Sequence, residues 1–403
     1  MKARPHLAAC LVAALGAVLP AQLRAEAPDF HLSGFATVGA LVTDRSDVWA
    51  YRSGFNKPGR NRLDFGTDTL VGVQGSLRVG QASDFTVQAV SSETPHGDYD
   101  PRIAWAFWRY NVNAALTLRA GRLRAPFFML SDSLNVNYAY PWVRPPQEVY
   151  GLNPFSEIDG ADLLLRVPAG ALELELKPYF GNGRIDLADD SRATLRDVRG
   201  INVALSGVHL SAHLSHGEGR LHVKWGDDGY RAVAAGLTQA GGALAGVPAQ
   251  LAGDEGRARF SSAGLQWDDG RHLVIAEAVQ RRVNRYVNSA QAWQLTVGQR
   301  SGSFTHFLTL ARQRQDRPVA RADIADPALA AGFAAFLASR NEAQRSVTVG
   351  TRWDFARNAA FKAQLSRARI DRDAWGSFFP GDPRQPPGGH RVHVLSLSLD
   401  VVF

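Results

Sequence analysis

The sequence predicts an all-β protein, a transmembrane antiparallel β-barrel of about sixteen strands with a long third loop folded into its lumen. Three observations predict it. No window beyond residue 25 holds the roughly 18 consecutive apolar residues of a spanning helix. Apolar and polar residues alternate with period two in one segment after another. The connections between those segments are alternately short and long.

The first element is an export signal. Lys2 and Arg4 make a positive start, Leu7 to Leu19 is apolar, and Ala25-Glu26-Ala27 offers small residues for cleavage. Two cut sites compete: one after Ala25 sets Leu23 at the third position upstream, and one after Ala27 sets Pro28 just downstream. Peptidases disfavour that proline, so residues 1–25 are read as signal peptide and 26–403 as one barrel domain. Leu7-Ala8-Ala9-Cys10 looks like a lipoprotein box, yet only six residues precede it, too few for a complete signal. Taking Lys2, Arg4 and Arg24 from 45 Lys+Arg leaves 42 against 38 Asp+Glu, and Cys10 was the one cysteine. An exported chain without cysteine needs no disulfides to hold it together. So slight a basic excess gives no case for a nucleic-acid partner.

The strands follow. In 69–79, Val71, Val73, Leu77 and Val79 share one side against Gly72, Gln74, Ser76 and Arg78. Trp293, Leu295 and Val297 oppose Gln294 and Thr296, and Phe361, Ala363 and Leu365 oppose Lys362, Gln364 and Ser366. Sixteen such segments fall at 31–43, 69–79, 84–92, 102–112, 115–123, 160–167, 171–180, 199–206, 208–216, 258–267, 271–281, 290–299, 303–313, 345–354, 359–369 and 392–403. Between them, short turns such as 80–83 and 168–170 alternate with long connections: 44–68, 93–101, 124–159, 181–198, 217–257, 282–289, 314–344 and 370–391. Lipid cannot satisfy backbone N–H and C=O groups, so a spanning sheet must close on itself. At this size closure leaves an aqueous lumen.

The last strand carries a further signal. Leu395, Leu397, Leu399, Val401 and Phe403 alternate with Ser396, Ser398, Asp400 and Val402. A terminal aromatic with apolar residues two apart before it resembles the signal read by the outer-membrane assembly machinery.

The third connection, 124–159, is too long and aperiodic for a plain linker. It carries Pro126, Pro141, Pro145, Pro146, Pro154, Tyr138, Tyr140, Trp142 and Tyr150. Prolines stiffen it, and the aromatics need something to pack against, as a loop inside a pore would supply. Around it gather Arg78, Arg109, Arg119, Arg122 and Arg124 on the strands, with Asp132, Arg144, Glu148, Glu157 and Asp159 on the loop. Opposed charges of this kind set a transverse field and an ion preference, here leaning towards anions. Parity points Arg119 inward with Thr117, whereas Arg122 shares the Leu116–Leu118–Ala120 face unless a bulge near Gly121 turns it. Arg166, Arg352 and Lys362 share faces with polar residues and are secondary candidates.

Residues 102–165 also contain Trp105-Ala106-Phe107, Leu118-Arg119-Ala120-Gly121-Arg122-Leu123, Phe128-Met129-Leu130-Ser131-Asp132-Ser133, Tyr138-Ala139-Tyr140-Pro141-Trp142-Val143-Arg144-Pro145-Pro146, Glu148-Val149-Tyr150-Gly151 and Ile158-Asp159-Gly160-Ala161-Asp162. This block, with Leu32-Ser33-Gly34-Phe35 and Phe403, resembles the porin-like proteins of proteobacteria in the general Gram-negative porin superfamily. The resemblance implies sixteen strands, a homotrimer and a lumen-folded third loop. The expectation is an outer-membrane diffusion channel for small hydrophilic solutes and ions, in contact with lipid and lipopolysaccharide. The alternatives are a substrate-selective channel of the same fold, and a plugged barrel serving as adhesin or enzyme.

Catalytic, cofactor and metal chemistry find no support in the pattern. His209 and His213 stand four apart on a strand, roughly 13 Å, too far to clasp one metal. Asp189-Asp190 and Asp227-Asp228 match no calcium loop. The Gly-rich 236–246 lacks the lysine of a phosphate cradle, and its alanines, like those at 328–338, suggest short helices within loops five and seven.

Overall fold

The computed structural model describes residues 29–51, 63–94, 96–188, 190–252, 255–382 and 388–403. The expected signal segment 1–25 and Asp189 lie outside them. Sixteen long strands make one closed wall: β1 Asp29–Thr43, β2 Leu70–Val79, β3 Ser83–Ser92, β4 Arg102–Asn111, β5 Leu116–Arg124, β6 Glu157–Ala169, β7 Leu172–Asp186, β8 Arg192–Ser206, β9 Leu210–Lys224, β10 Gly256–Asp268, β11 His272–Val283, β12 Ser289–Ser301, β13 Phe304–Arg317, β14 Gln344–Ala356, β15 Ala359–Ile370 and β16 Arg391–Val402. Each pairs antiparallel with the next, and β1 pairs both β2 (Thr37 opposite Leu70) and β16 (Phe35 opposite Val402), so the long sheet has no free edge.

The last residue completes the closure. Gly34 N–H donates to the Phe403 carbonyl at 2.7 Å, and Phe403 N–H donates to the Gly34 carbonyl at 2.9 Å. The Phe403 ring occupies the space a Gly34 side chain would need. Deleting Phe403 is expected to cut the yield of barrel folded into lipid vesicles several-fold, read as heat-modifiable gel mobility. Phe403→Ala, which keeps both backbone bonds, is expected to fall between the two.

Alternation makes the wall an inverted protein. Outward stand exposed Val71, Val73, Leu308, Leu310, Val347, Leu395 and Leu397, while inward Gln294, Thr296, Thr309, Ser396, Ser398 and Asp400 are buried. The inward polar groups largely find one another. Thr37 Oγ1 donates to Asp400 at 2.7 Å, the Thr296 and Thr309 hydroxyls lie 2.7 Å apart, and Gln88 Nε2 donates to Gln74 at 3.0 Å. Left unpaired, each would cost about 1–3 kcal/mol.

Towards the long-loop rim the pattern reverses, and the strands outrun the sequence expectation. On β9, Gly217, Gly219, Leu221 and Val223 turn inward and are buried, while His216, Glu218, Arg220 and His222 turn outward. The expected strand 208–216 is therefore Leu210–Lys224, and 171–180 is Leu172–Asp186. Strand 199–206 begins at Arg192, its alternation broken by a bulge between Arg196 and Arg199. Connections 181–198 and 217–257 shrink accordingly to 187–191 and 225–255.

In loop five the helix is α1 Asp228–Ala240, which begins ahead of the expected 236–246 and is followed by a 3-10 turn at Gly242–Gly246, while in loop seven α2 Pro327–Ser339 covers the expected 328–338. Asp227 caps α1 by accepting from Tyr230 N–H at 2.7 Å. Val233 and Leu237 of α1 pack with Phe333 and Phe336 of α2. A short strand Val48–Tyr51 in the first long connection pairs Phe378–Pro380 in the last.

Candidate functional site

The connection 125–156 between β5 and β6 reaches inward faces far from its own strands. Trp142 Nε1–H donates to Thr309 Oγ1 of β13 at 2.9 Å, and Val143 N–H donates to Gln364 Oε1 of β15 at 2.9 Å. Met129 N–H and the Tyr150 hydroxyl donate to the two Glu277 oxygens of β11, at 2.9 and 2.6 Å. Lys362 Nζ, on β15, donates to the Asn137 and Trp142 carbonyls at 2.5 and 2.9 Å and pairs with Asp400 of β16 at 3.0 Å. Trp142, Val143, Val149 and Leu152 are fully buried. The loop's aromatics and prolines thus have the packing partners that their number demands.

The charges divide three ways. Arg124, Arg144 and Glu148 are buried and tie the loop down instead of facing open lumen. Arg124 donates to the Ser131 carbonyl and to Glu157, both at 2.8 Å, and Arg144 pairs with Asp68, its Nε at 2.7 Å. Gln344 Nε2 donates to Glu148 at 2.8 Å. Burial pushes the Glu148 carboxyl above its ordinary range, against the pull of its hydrogen bonds to Ser346 and Gln344.

Arg122 and Asp159 form a second group, and they correct the expected set. They stand directly opposite each other on β5 and β6, paired at 2.7 Å, on the face shared by outward Ala120 and Ala161. Gly121 has φ of +131°, but the register runs on without a shift, so Arg122 keeps the outward parity. Both residues leave the list of lumen candidates.

The third group is a charged row. Arg78 of β2 lies opposite Asp84 of β3, Asp84 opposite Arg109 of β4, Arg109 opposite Arg119 of β5, and Arg119 opposite Asp162 of β6. Five strands thereby present Arg–Asp–Arg–Arg–Asp as one inward row of cross-strand neighbours. Arg109 Nε bonds Asp84 at 2.7 Å, and Arg119 Nε bonds Asp162 at 2.9 Å. Next to it, Lys177 of β7 lies 3.4 Å from Glu175 and 3.6 Å from Asp132, whose side chain is 60% exposed on the loop. Arg166 bonds Glu175 at 3.0 Å. A wall of mixed charge therefore faces an exposed loop carboxylate.

Sequence reasoning missed Asp84 and Asp162 as members of this row, and Glu175 and Lys177 beside it. Their parity was legible, since Leu172, Leu174 and Leu176 alternate with Glu173, Glu175 and Lys177. Their alignment with Arg109 and Arg119 needs the register. On the other side of the loop, Phe127, Phe155, Leu195, Leu221 and Phe260 enclose an apolar cavity of about 80 Å³. Trp225, Leu187 and Val287 join it to a vestibule of about 840 Å³ under the loops, where Phe336, Trp375 and Arg231 contribute.

No protein-family model and no curated protein sequence matches the chain. Solved structures do. An anion-selective porin from Comamonas acidovorans superposes with a TM-score of 0.54 at 12% identity, over 93% of this chain and 100% of that one. OmpF of Salmonella typhi, in a complex with daunomycin, gives 0.55 at 11% identity over 93% and 98%. The outer-membrane channel DcaP of Acinetobacter baumannii gives 0.53 at 12% identity over 93% and 97%. The chain has the closed sixteen-stranded fold of these Gram-negative outer-membrane porins.

Proposed function

We propose that this porin-like barrel is an outer-membrane diffusion channel for small hydrophilic solutes and ions, leaning weakly towards anions. The observation that carries the reading is the charged row beside the loop. A closed wall with lipid-compatible residues outside and polar residues inside carries Arg78, Arg109, Arg119 and Lys177, and Lys177 lies 3.6 Å from the exposed Asp132 of the loop. The loop 125–156, docked on β11, β13 and β15, serves as the constriction, and solutes pass between it and the row. Passage is diffusive, and no catalytic step or cofactor is assigned. Export by a cleaved signal, insertion through the Phe403 strand and assembly as a homotrimer in contact with lipopolysaccharide belong to the same proposal.

Planar-bilayer recording of the refolded protein tests it. Ohmic steps with an anion-directed reversal potential in a salt gradient are expected, and a folded barrel without conductance would sink the reading. Asp132→Asn is expected to strengthen the anion preference about two- to fivefold, because a partly exposed charge in water acts with roughly 1 kcal/mol or less. The vestibule and apolar cavity favour a second reading, a channel selective for a solute with an apolar part. Saturable current block by such a solute would distinguish it.

A further inference from the structure

We propose that the apolar cavity beside the loop 125–156 binds a zwitterionic solute through a short branched alkyl group, the chemistry of leucine and its short peptides. The proposal rests on the reading of the barrel as a channel selective for a solute with an apolar part, and gives that reading a site and a solute class.

A water-filled mouth gives its wall no reason to be apolar, yet here it is. Deeper in the lumen, β7–β10 turn the polar Lys177, Asn202, Ser215 and Ser262 inward, one from each strand. Towards the long-loop rim the same strands turn Ile185, Leu195, Leu221 and Phe260 inward. Phe127 and Phe155 of the loop pack against this surface, and a cavity of about 80 Å³ is left between them. Gly217 and Gly219 line it at inward positions of β9, where any side chain would take up part of the space. A buried water makes two to four hydrogen bonds, and so apolar a lining offers few of them. An alkyl group loses nothing there and leaves water behind.

The size of the cavity selects the group. An apolar cavity of about 150 Å³ takes a benzene ring, so one of half that volume takes roughly three or four carbons and excludes the ring. The threshold selects what carries the group. Trp225 lines both the cavity and the vestibule. The Arg340 guanidinium carbon lies 4.6 Å from the centre of the Trp225 ring, and Arg340 Nη2 donates to Asp227 at 2.9 Å. A solute with its alkyl group in the cavity therefore sets its head beside a guanidinium and a carboxylate together. Arg231 and Asp228 add a second such pair to the vestibule wall. A fatty carboxylate would meet Asp227 as well as Arg340, whereas a head with an ammonium and a carboxylate answers both.

Isothermal titration of the refolded full barrel in lipid nanodiscs, where no detergent tail competes for the cavity, tests the proposal with free amino acids. From alanine through valine to leucine, each added carbon is expected to tighten binding about fourfold, the equivalent of about 0.8 kcal/mol per buried CH₂. Phenylalanine is expected to bind more weakly than leucine. So are 4-methylpentanoate and 3-methylbutylamine, which keep the alkyl group but only one charge, each by about fivefold. Ala258→Leu, which adds three carbons to the lining, is expected to erase the advantage of leucine over alanine. Leu221→Ala is expected to make phenylalanine the tighter ligand of the two. Gel mobility verifies folding, and Ala193→Leu serves if Ala258→Leu fails. A flat series, or unchanged preferences in the variants, would overturn the site, and 4-methylpentanoate binding as tightly as leucine would overturn the zwitterion. Current block in planar bilayers separates this proposal from the reading beneath it. Leucine bound without block keeps the site and ends the selective channel, whereas saturable block by another apolar solute with a flat leucine series does the reverse.

Discussion

Replacing Arg109 and Arg119 together by glutamine is expected to turn the slight anion preference into a cation preference. The two guanidinium groups offset Asp84 and Asp162 in the inward row, at 2.7 and 2.9 Å. Without them, both carboxylates lose the guanidinium groups paired with them. A unit charge a few ångströms from the ion path in a wet channel is worth about 1 kcal/mol, or about fivefold in relative ion occupancy for each charge changed. The reversal potential in a tenfold salt gradient reads the change directly. If its sign and size stay fixed while conductance persists, ions do not travel along this wall. Arg119 is the more buried of the two, and its loss leaves Asp162 unpaired in a site that is almost inaccessible. Arg109→Gln, at a half-exposed position, is the companion variant for which folding is secure.

Lys362→Met is expected to destabilise the folded protein by about 3–5 kcal/mol, the usual cost of leaving one partner of a buried pair alone. The substitution removes the cation from Asp400 and takes the donor away from the Asn137 and Trp142 carbonyls. Guanidinium unfolding in detergent measures the loss. Lys362→Met combined with Asp400→Leu is expected to recover part of it, since exchanging both charges for apolar groups is far less costly than exposing one. The double variant still leaves the loop carbonyls without their donor. Larger open-channel current noise than wild type is therefore expected from it, and quiet currents would show that Lys362 does not steady the loop.

Sequence alternation found the wall where the two faces see different solvents. Strand 69–79 was legible because Val71 and Val73 face lipid while Gln74 and Ser76 face inward. Past the apolar belt the rule changes sign: on β9 the buried residues are Leu221 and Val223, and the outward ones are Arg220 and His222. A reading that seeks lipid-facing apolar residues stops at the reversal, which is why β7, β8 and β9 were cut short. Arg122 shows the converse. Its parity on the Leu116–Leu118–Ala120 face was the sounder guide, and its position among charged neighbours was the misleading one.

Loop charges were beyond reach for another reason. Asp132 stays exposed while Glu148, sixteen residues on in the same loop, is buried against Gln344. Composition treats the two carboxylates alike. Their difference comes from the path that Trp142 and Val143 impose by docking on β13 and β15.

By itself the sequence determined the closed barrel, its short-turn and long-loop rims, the inward parity of Arg78 and Arg119, and the stiff aromatic third loop. These are local properties, carried by period-two alternation and by the residues within each connection. Only the tertiary structure decided the alignment of Arg78, Asp84, Arg109, Arg119 and Asp162 in one cross-strand row, and the partners of Arg144 and Lys362. Register is the sum of every turn and bulge around the wall, and Arg144 meets Asp68 across 76 residues of chain. No local pattern encodes such a sum, because the closure of the barrel fixes all its terms together.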